Sequence, residues 1–248
     1  MDEFITESQV SKNALNMATL ASTLPVQVLI FGEVGVGKKS LAHVVFHDAT
    51  LFDALEFQDM INDNSINLED FEILILSDID RVNNIKQFIE KLEKQHIKII
   101  ATATQEKESF GEKFAVRIDL LPLRDRSEDL KNLSLNYLTQ ANRLFGTDTK
   151  IDNIEMDFSK NSISLRESIY RGVVFDSINE NQVATLLEGF LLKQMDEITE
   201  YKELLEIFEI PLIKASRTKF KSQLQMSGAL NINRNTLRKK INQYGLEE

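Results

Sequence analysis

Gly32-Glu33-Val34-Gly35-Val36-Gly37-Lys38 is the stretch on which the reading of this chain turns. It follows Val26-Gln27-Val28-Leu29-Ile30-Phe31, a short, mostly apolar, β-branched run of the kind a buried strand needs. It leads into residues 38–46, which read as a helix. The chain has nine glycines, and three of them fall here, so backbone freedom is concentrated at one place. Glycines let successive backbone N–H groups turn towards an anion. The helix N-terminus adds positive potential, and a lysine reaches the outer phosphates. The pattern therefore predicts a phosphate-binding loop for ATP or ADP, built from Gly32, Glu33, Val34, Gly35, Val36, Gly37, Lys38, Lys39 and Ser40. A loop that keeps this shape and binds nothing, or only adjacent anions, would leave the same trace.

The flanking sequence supplies an α/β framework. Ile73-Leu74-Ile75-Leu76 and Lys98-Ile99-Ile100-Ala101-Thr102-Ala103 read as two further buried strands. Residues 8–23 and 82–95 read as helices, the first with Val10, Ala14, Leu15, Ala18 and Ala21 near helical spacing. Strands alternating with helices predict a parallel sheet with crossover helices. After Ser127 no comparable strand follows. Residues 127–144 and 180–195 read as helices, and everything from Glu200 onward reads as helical. The polar stretch 146–163 reads as a loop or a poorly ordered connection. The three prolines, Pro25, Pro122 and Pro211, are each expected near an element boundary.

The metal position departs from the usual pattern. A Ser or Thr normally follows the loop lysine and holds Mg²⁺; here it is Lys39, with Ser40 one place late. A carboxylate at the end of a neighbouring strand is also needed. The strand ending at Leu76 runs into Ser77-Asp78-Ile79-Asp80, so Asp78 serves only if the strand is one residue longer. Asp78 and Asp80 read equally as solvated turn residues. Mg²⁺ is therefore left open. His43 and His47, four apart with no third ligand, read as surface or packing residues.

Composition excludes several classes. With no cysteine there are no disulfides, no thiol catalysis and no cysteine-ligated zinc. No run of 18 apolar residues exists, and the acidic start Met1-Asp2-Glu3-Phe4 is unlike a signal peptide. A cytoplasmic protein with no membrane partner is expected. The formal net charge of −10 is unevenly spread. Residues 211–248 carry a net +6, which leaves −16 on the rest, so two jobs on one chain are expected.

The basic end has its own pattern. Leu224, Ala229, Leu230, Ile232, Leu237 and Ile241 suit two short helices around one small core. Asn231 stands where the turn between them needs a left-handed residue, and Asn233 suits an N-cap. In a helix-turn-helix the start of the second helix reaches base edges and nearby basic residues hold phosphates. Asn233, Arg234, Asn235, Thr236, Arg238, Lys239 and Lys240 are therefore the DNA-binding candidates, with Arg234 and Asn235 on the bases. A solvated basic face is the alternative. The apolar residues Leu204, Leu205, Phe208, Leu212 and Ile213 call for a partner.

Three segments carry a family resemblance. They are the glycine loop, Leu121-Pro122-Leu123-Arg124-Asp125-Arg126-Ser127-Glu128-Asp129-Leu130, and Ile232-Asn233-Arg234-Asn235-Thr236-Leu237-Arg238-Lys239-Lys240-Ile241. In this order they resemble NtrC-class bacterial enhancer-binding proteins, the AAA+ activators of sigma-54 transcription that end in a Fis-type helix-turn-helix. The resemblance covers nearly the whole chain from about Phe4, which implies that the family's N-terminal receiver or sensor domain is missing. It implies an α/β AAA+ P-loop sheet over residues 1–126, a helical lid over 127–196, and an all-α Fis-type DNA-binding and dimerisation domain over 197–248. Within the family the loop lysine is often followed by Glu, so Lys39 departs less from the family than from the general phosphate-loop pattern. The resemblance maps the family's Asp-Glu pair onto Ser77-Asp78, so the metal-binding Asp is lost and Asp78 stands for the catalytic Glu. It maps the sensor residue onto Thr104, the nucleotide-sensing Arg onto Arg166 through Leu165-Arg166-Glu167, and the arginine finger onto Arg117. The GAFTGA loop that grips sigma-54 has no counterpart between Phe46 and Glu72.

Together these readings predict a sequence-specific DNA-binding transcriptional regulator with a degenerate AAA+ domain, unable to remodel sigma-54 polymerase. Two alternatives stay open: an active ATPase driving sigma-54 transcription, and a modulator assembling with a full-length relative. The expected partners are double-stranded DNA, further copies of the chain as a homodimer or larger oligomer, and RNA polymerase or a related AAA+ regulator.

Overall fold

The computed structural model describes residues 4–195 and 200–246, and the chain divides into two compact units, one up to Ser177 and one from Ile178. The first unit opens with α1 (Gln9–Ser22), capped by the Ser8 side chain, which accepts from the Ser11 amide. Ala14, Ala18 and Ala21 face inward, and small side chains let this helix lie close to the sheet. There follow β1 (Val28–Phe31), α2 (Lys38–Val45), β2 (Thr50–Asp53), α3 (Ala54–Asn62), β3 (Ile73–Ser77), α4 (Ile85–Glu93), β4 (Lys98–Ala103), the single-turn α5 (Phe110–Lys113) and β5 (Val116–Asp119).

The strands form one parallel sheet in the order β2-β3-β4-β1-β5. Alternation along the strands separates two core layers. Leu29, Leu74, Leu76, Ile99 and Ala101 join the layer that takes α3 and α4. Val28, Ile30, Ile75, Ile100 and Ile118 join the layer that takes α1 and α2. The central strands are therefore buried on both faces, which is why they read as unbroken apolar runs.

The structure adds two strands to the three expected, β2 and β5, and both lie at the sheet edges. Thr50-Leu51-Phe52-Asp53 and Val116-Arg117-Ile118-Asp119 mix polar with apolar residues because an edge strand is only half covered. Between β2 and β3 the chain holds only α3, a short connection and a 3-10 turn at Leu68–Asp70; Asp53 ends the strand and also caps the helix.

A 3-10 turn (Leu123–Asp125) leads into α6 (Ser127–Phe145), which packs on α7 (Ser162–Ser177) through Leu133, Tyr137, Ala141, Leu165 and Ile169. The stretch 146–163 is not merely a poorly ordered connection. It carries a 3-10 turn at Ile151–Asn153, buries Thr149 and Ile154, and enters α7 with Asn161 almost fully buried.

The second unit holds α8 (Glu180–Gln194), α9 (Tyr201–Lys219), α10 (Gln223–Ala229) and α11 (Arg234–Gln243). Pro211 lies inside α9 rather than at a boundary. It interrupts one backbone hydrogen bond, yet the helix runs through it. Ile213, Met226, Leu237 and Ile241 make the small core. Leu224 and Ala229, expected in it, are exposed because α10 turns Met226 and Ser227 inward instead. Among the described residues, no helix is long and apolar enough to cross a membrane.

Candidate functional site

The phosphate loop leaves the C-terminal end of β1 at the point where the sheet order reverses, with β4 on one side and β5 on the other. Such a crevice beyond the strand ends is where open α/β sheets accept ligands. The glycines are required by close approach. A Cβ on Gly32 would stand 2.6 Å from the Leu120 carbonyl oxygen, and one on Gly35 would collide with that of Lys160. Gly35 also has φ +77°, which a side chain would strain.

Lys38 opens α2 and is buried. Its ammonium donates to the carbonyls of Gly32 (2.7 Å) and Glu33 (2.8 Å) and to Thr104 Oγ1 (3.0 Å). Burial pulls its pKa below the ordinary lysine value, while Asp78 and Asp80 oppose that shift. Thr104, just past β4, therefore stands at the lysine tip. Lys39 reaches across to Asp78, with 3.2 Å between Nζ and Oδ2. Asp78 has a left-handed backbone, and its amide donates to Thr102 Oγ1 at 3.1 Å. Asp80 is no solvated turn residue: its Oδ2 accepts from the Gln105 amide at 3.0 Å, and its Oδ1 is buried with no hydrogen-bond partner.

Two adjoining cavities meet at the loop. One, of about 270 Å³, is lined by Lys38, Lys39, Ser40, Asp78 and Thr104. The other, of about 200 Å³, is lined by Phe4, Ile5, Leu123, Leu133 and Tyr137 together with the buried pair Arg126 and Asp129. Both are bounded by Gly35, Gly37, Ser40 and Ser162. A cationic chamber that shares a wall with a largely apolar one suits a molecule with a phosphate end and a flat apolar end.

The donor set does not suit Mg²⁺. Strand β3 includes Ser77, whose side chain is buried, and places Asp78 as the one carboxylate of the cationic chamber. Lys39 already neutralises that carboxylate, and the lysine stands where a hydroxyl ligand is needed. Asp80, with its unpartnered oxygen, does not line the chamber. Among the described residues no group of three or more His, Asp or Glu could hold a metal.

The support around the loop was only partly legible. Asn161 donates to the Val34 carbonyl (2.9 Å) and to Glu33 Oε2 (3.2 Å), and accepts from the Leu123 amide (2.7 Å). Ser162 donates to the Gly35 carbonyl through both its amide and its hydroxyl. Arg124 grips Glu33 with two hydrogen bonds, which hold the Glu33 carboxyl below its ordinary pKa. Arg126, nearly fully buried, donates to the Val36 carbonyl (2.8 Å) and to Ser11 Oγ (3.0 Å), with Asp129 at 3.6 Å. Asp129 accepts from the amides of Glu7 and Ser8 and from the hydroxyls of Ser8 and Ser11. Burial alone would raise its pKa; the hydrogen bonds from Ser11, Ser8 and Glu7 outweigh that and hold it low. The sequence signal was the segment 121–130, whose charged residues turn out to brace the loop.

Two expected residues stand apart from the cavities. Arg117 on β5 lies over the Phe31 ring at 4.3 Å and is held by Glu106 (2.7 Å) and Asp119 (2.9 Å). Arg166 on α7 is exposed and lies over the rings of Tyr170 (5.2 Å) and Tyr137 (6.0 Å), the latter a wall of the apolar cavity.

In the second unit, Asn231 takes the left-handed conformation (φ 49°) between α10 and α11. Asn233 caps α11 by accepting from the Asn235 amide at 2.8 Å. Arg234, Asn235, Thr236, Arg238 and Lys239 are exposed, while Leu237 and Ile241 anchor the helix inward. Lys240 is engaged internally: its ammonium donates to both oxygens of Glu209 at 2.6 Å, and the Tyr244 hydroxyl donates to Glu209 at 2.5 Å.

Residues 4–72 match the sigma-54 interaction domain family. No curated protein matches the chain in sequence. Among solved structures, NtrX from Brucella abortus in complex with ADP superposes with a TM-score of 0.59 at 16% identity, covering 98% of this chain and 70% of that one. The same protein in complex with ATP gives 0.57 at 14% identity, covering 99% and 70%. At such identity the likeness is one of fold, and it agrees with an AAA+-like α/β architecture carrying a five-stranded parallel sheet.

Proposed function

We propose that this protein is a DNA-binding transcriptional regulator of the enhancer-binding kind, cytoplasmic, whose AAA+ unit binds ATP or ADP without remodelling sigma-54 polymerase. The observation that carries the DNA reading is α11: Asn233 caps it, Leu237 and Ile241 bury its inner face, and Arg234, Asn235, Thr236, Arg238 and Lys239 stand in solvent. A capped helix with polar and basic residues at its exposed start suits the major groove. Arg234 and Asn235 would read bases; Thr236, Arg238 and Lys239 would hold phosphates. Lys240, drawn onto Glu209, would instead fix the helix to α9.

The nucleotide reading is supported by the paired cationic and apolar cavities and by NtrX, which was solved with ATP and with ADP. The phosphates would lie on residues 32–40 and Thr104, with the base against Phe4 and Tyr137. Arg166 would respond to it through Tyr137. The direct passage from β2 into α3 leaves little chain for a sigma-54-gripping loop, and Asp78 is committed to Lys39 rather than poised for hydrolysis. Phe208 and Leu212 on α9 are exposed apolar residues that suit a two-fold dimer, which would set two recognition helices about one DNA turn apart.

The test is DNA binding as salt is raised. Affinity should fall steeply, and Arg234→Ala with Arg238→Ala should weaken binding and flatten the salt slope by about 0.9 for each phosphate no longer neutralised. Unchanged binding by that double variant would overturn the DNA reading.

A further inference from the structure

The cationic chamber carries a feature that its nucleotide reading does not require. Beside the buried loop lysine stands a second ammonium, Lys39, held 3.2 Å from Asp78. It follows the loop lysine directly, where a general phosphate loop carries the hydroxyl that holds Mg²⁺, and it pairs with Asp78, the carboxylate that lines the chamber.

The structure assigns to Lys39 the place of the divalent cation: the site takes a metal-free nucleoside polyphosphate, with Lys39 as its built-in counter-ion. This rests on the reading of the two cavities as a nucleotide site. An ammonium has three donors. The ion pair with Asp78 engages at most one of them, and Lys39 lines the chamber, so the others would be offered to phosphate oxygens entering it. Lys38 adds a second positive charge from the loop side, but its three donors are taken by Gly32, Glu33 and Thr104, so the free donors facing phosphate are those of Lys39. A free nucleoside triphosphate would thus meet two fixed cations without a metal. A metal complex would bring its own double charge against Lys39 and would have to displace it from Asp78. Like charges at such distances disfavour one another, so added metal should not improve binding.

The test measures binding of ATP and of ADP by the purified chain, once with excess Mg²⁺ and once with excess EDTA. Affinity in EDTA is expected to equal or exceed that in Mg²⁺. Lys39→Ala should weaken binding in EDTA by about tenfold or more, the effect of removing a charge-assisted hydrogen bond. Lys39→Arg should retain most of it. Lys39 is about half exposed, with 46% of its side chain accessible, so an unchanged thermal midpoint is expected to certify folding of Lys39→Ala. Asp78→Asn, which releases the ammonium, should tighten metal-free binding and so tests the same interaction from the other side. Wild-type binding that weakens about tenfold or more in EDTA would overturn the inference and leave the nucleotide reading standing. So would a folded Lys39→Ala that binds in EDTA as wild type does. Absence of binding in both buffers would overturn the nucleotide reading and this inference with it.

Discussion

Replacing Asp129 with alanine should be one of the most damaging single changes in the first unit, although Asp129 does not touch the phosphate chamber. Its carboxylate accepts four hydrogen bonds, from the amides of Glu7 and Ser8 and the hydroxyls of Ser8 and Ser11. It is also the counter-charge of Arg126, and both side chains are almost wholly excluded from solvent. Asp129→Ala strands the Arg126 charge and removes the partner of two backbone amides. Breaking a buried pair from one side costs about 3–5 kcal/mol. For a chain of this size that corresponds to a fall in Tm of about 6–20 °C. Urea unfolding followed by circular dichroism would measure it. Arg126→Met should cost much less in the Asp129→Ala background than alone, because the stranded charge leaves with it. The pH dependence has a definite sign. The folded pKa of Asp129 is depressed, so its contribution is present above the unfolded value of about 3.8 and is lost as pH falls through the folded value. A loss below about 1 kcal/mol for Asp129→Ala, or strict additivity with Arg126→Met, would refute the role given to this pair.

Gly35→Val should abolish ATP binding in equilibrium titrations, because its Cβ would collide with the Lys160 carbonyl oxygen and its φ of +77° disfavours a side chain. Asn161→Ala unties Val34, Glu33 and Leu123 together, and faster hydrogen exchange at residues 33–36 should report it. In the second unit, the Tyr244 phenol is pushed up to about 12 by its hydrogen bond to Glu209. Glu209→Gln should return it towards the ordinary 10, as read by NMR titration of the ring. The raised value stabilises the fold below pH 10 and that contribution is lost as pH rises through 12, so the wild type should lose stability across this interval more than the variant.

Much of the framework was legible because its signals are local. The central strands are buried on both faces and announce themselves as apolar runs. The loop needs glycine for its backbone, and Asn231 and Asn233 mark the α10–α11 turn by backbone preference and capping. The edge strands β2 and β5 were missed because half-covered strands carry a weak pattern of mixed polarity. Pro211 misled because a local breaker marks a boundary only on average, and here the helix continues on both sides of it. Leu224 was misplaced because an apolar residue in a short helix cannot be assigned to a face until the start of the helix is known; Met226 takes the buried place.

The sequence by itself determined where a phosphate could be bound, which segment is basic, and that Lys39 stands in an unusual place. Only the tertiary structure decided that Lys39 meets Asp78, that Arg126 and Asp129 brace the loop through α1, and that Asn161 holds it from more than a hundred residues away. The physical reason is range. Backbone conformation and capping depend on residues within a turn or two, whereas charge pairing in a buried site depends on which surfaces the packed core brings together.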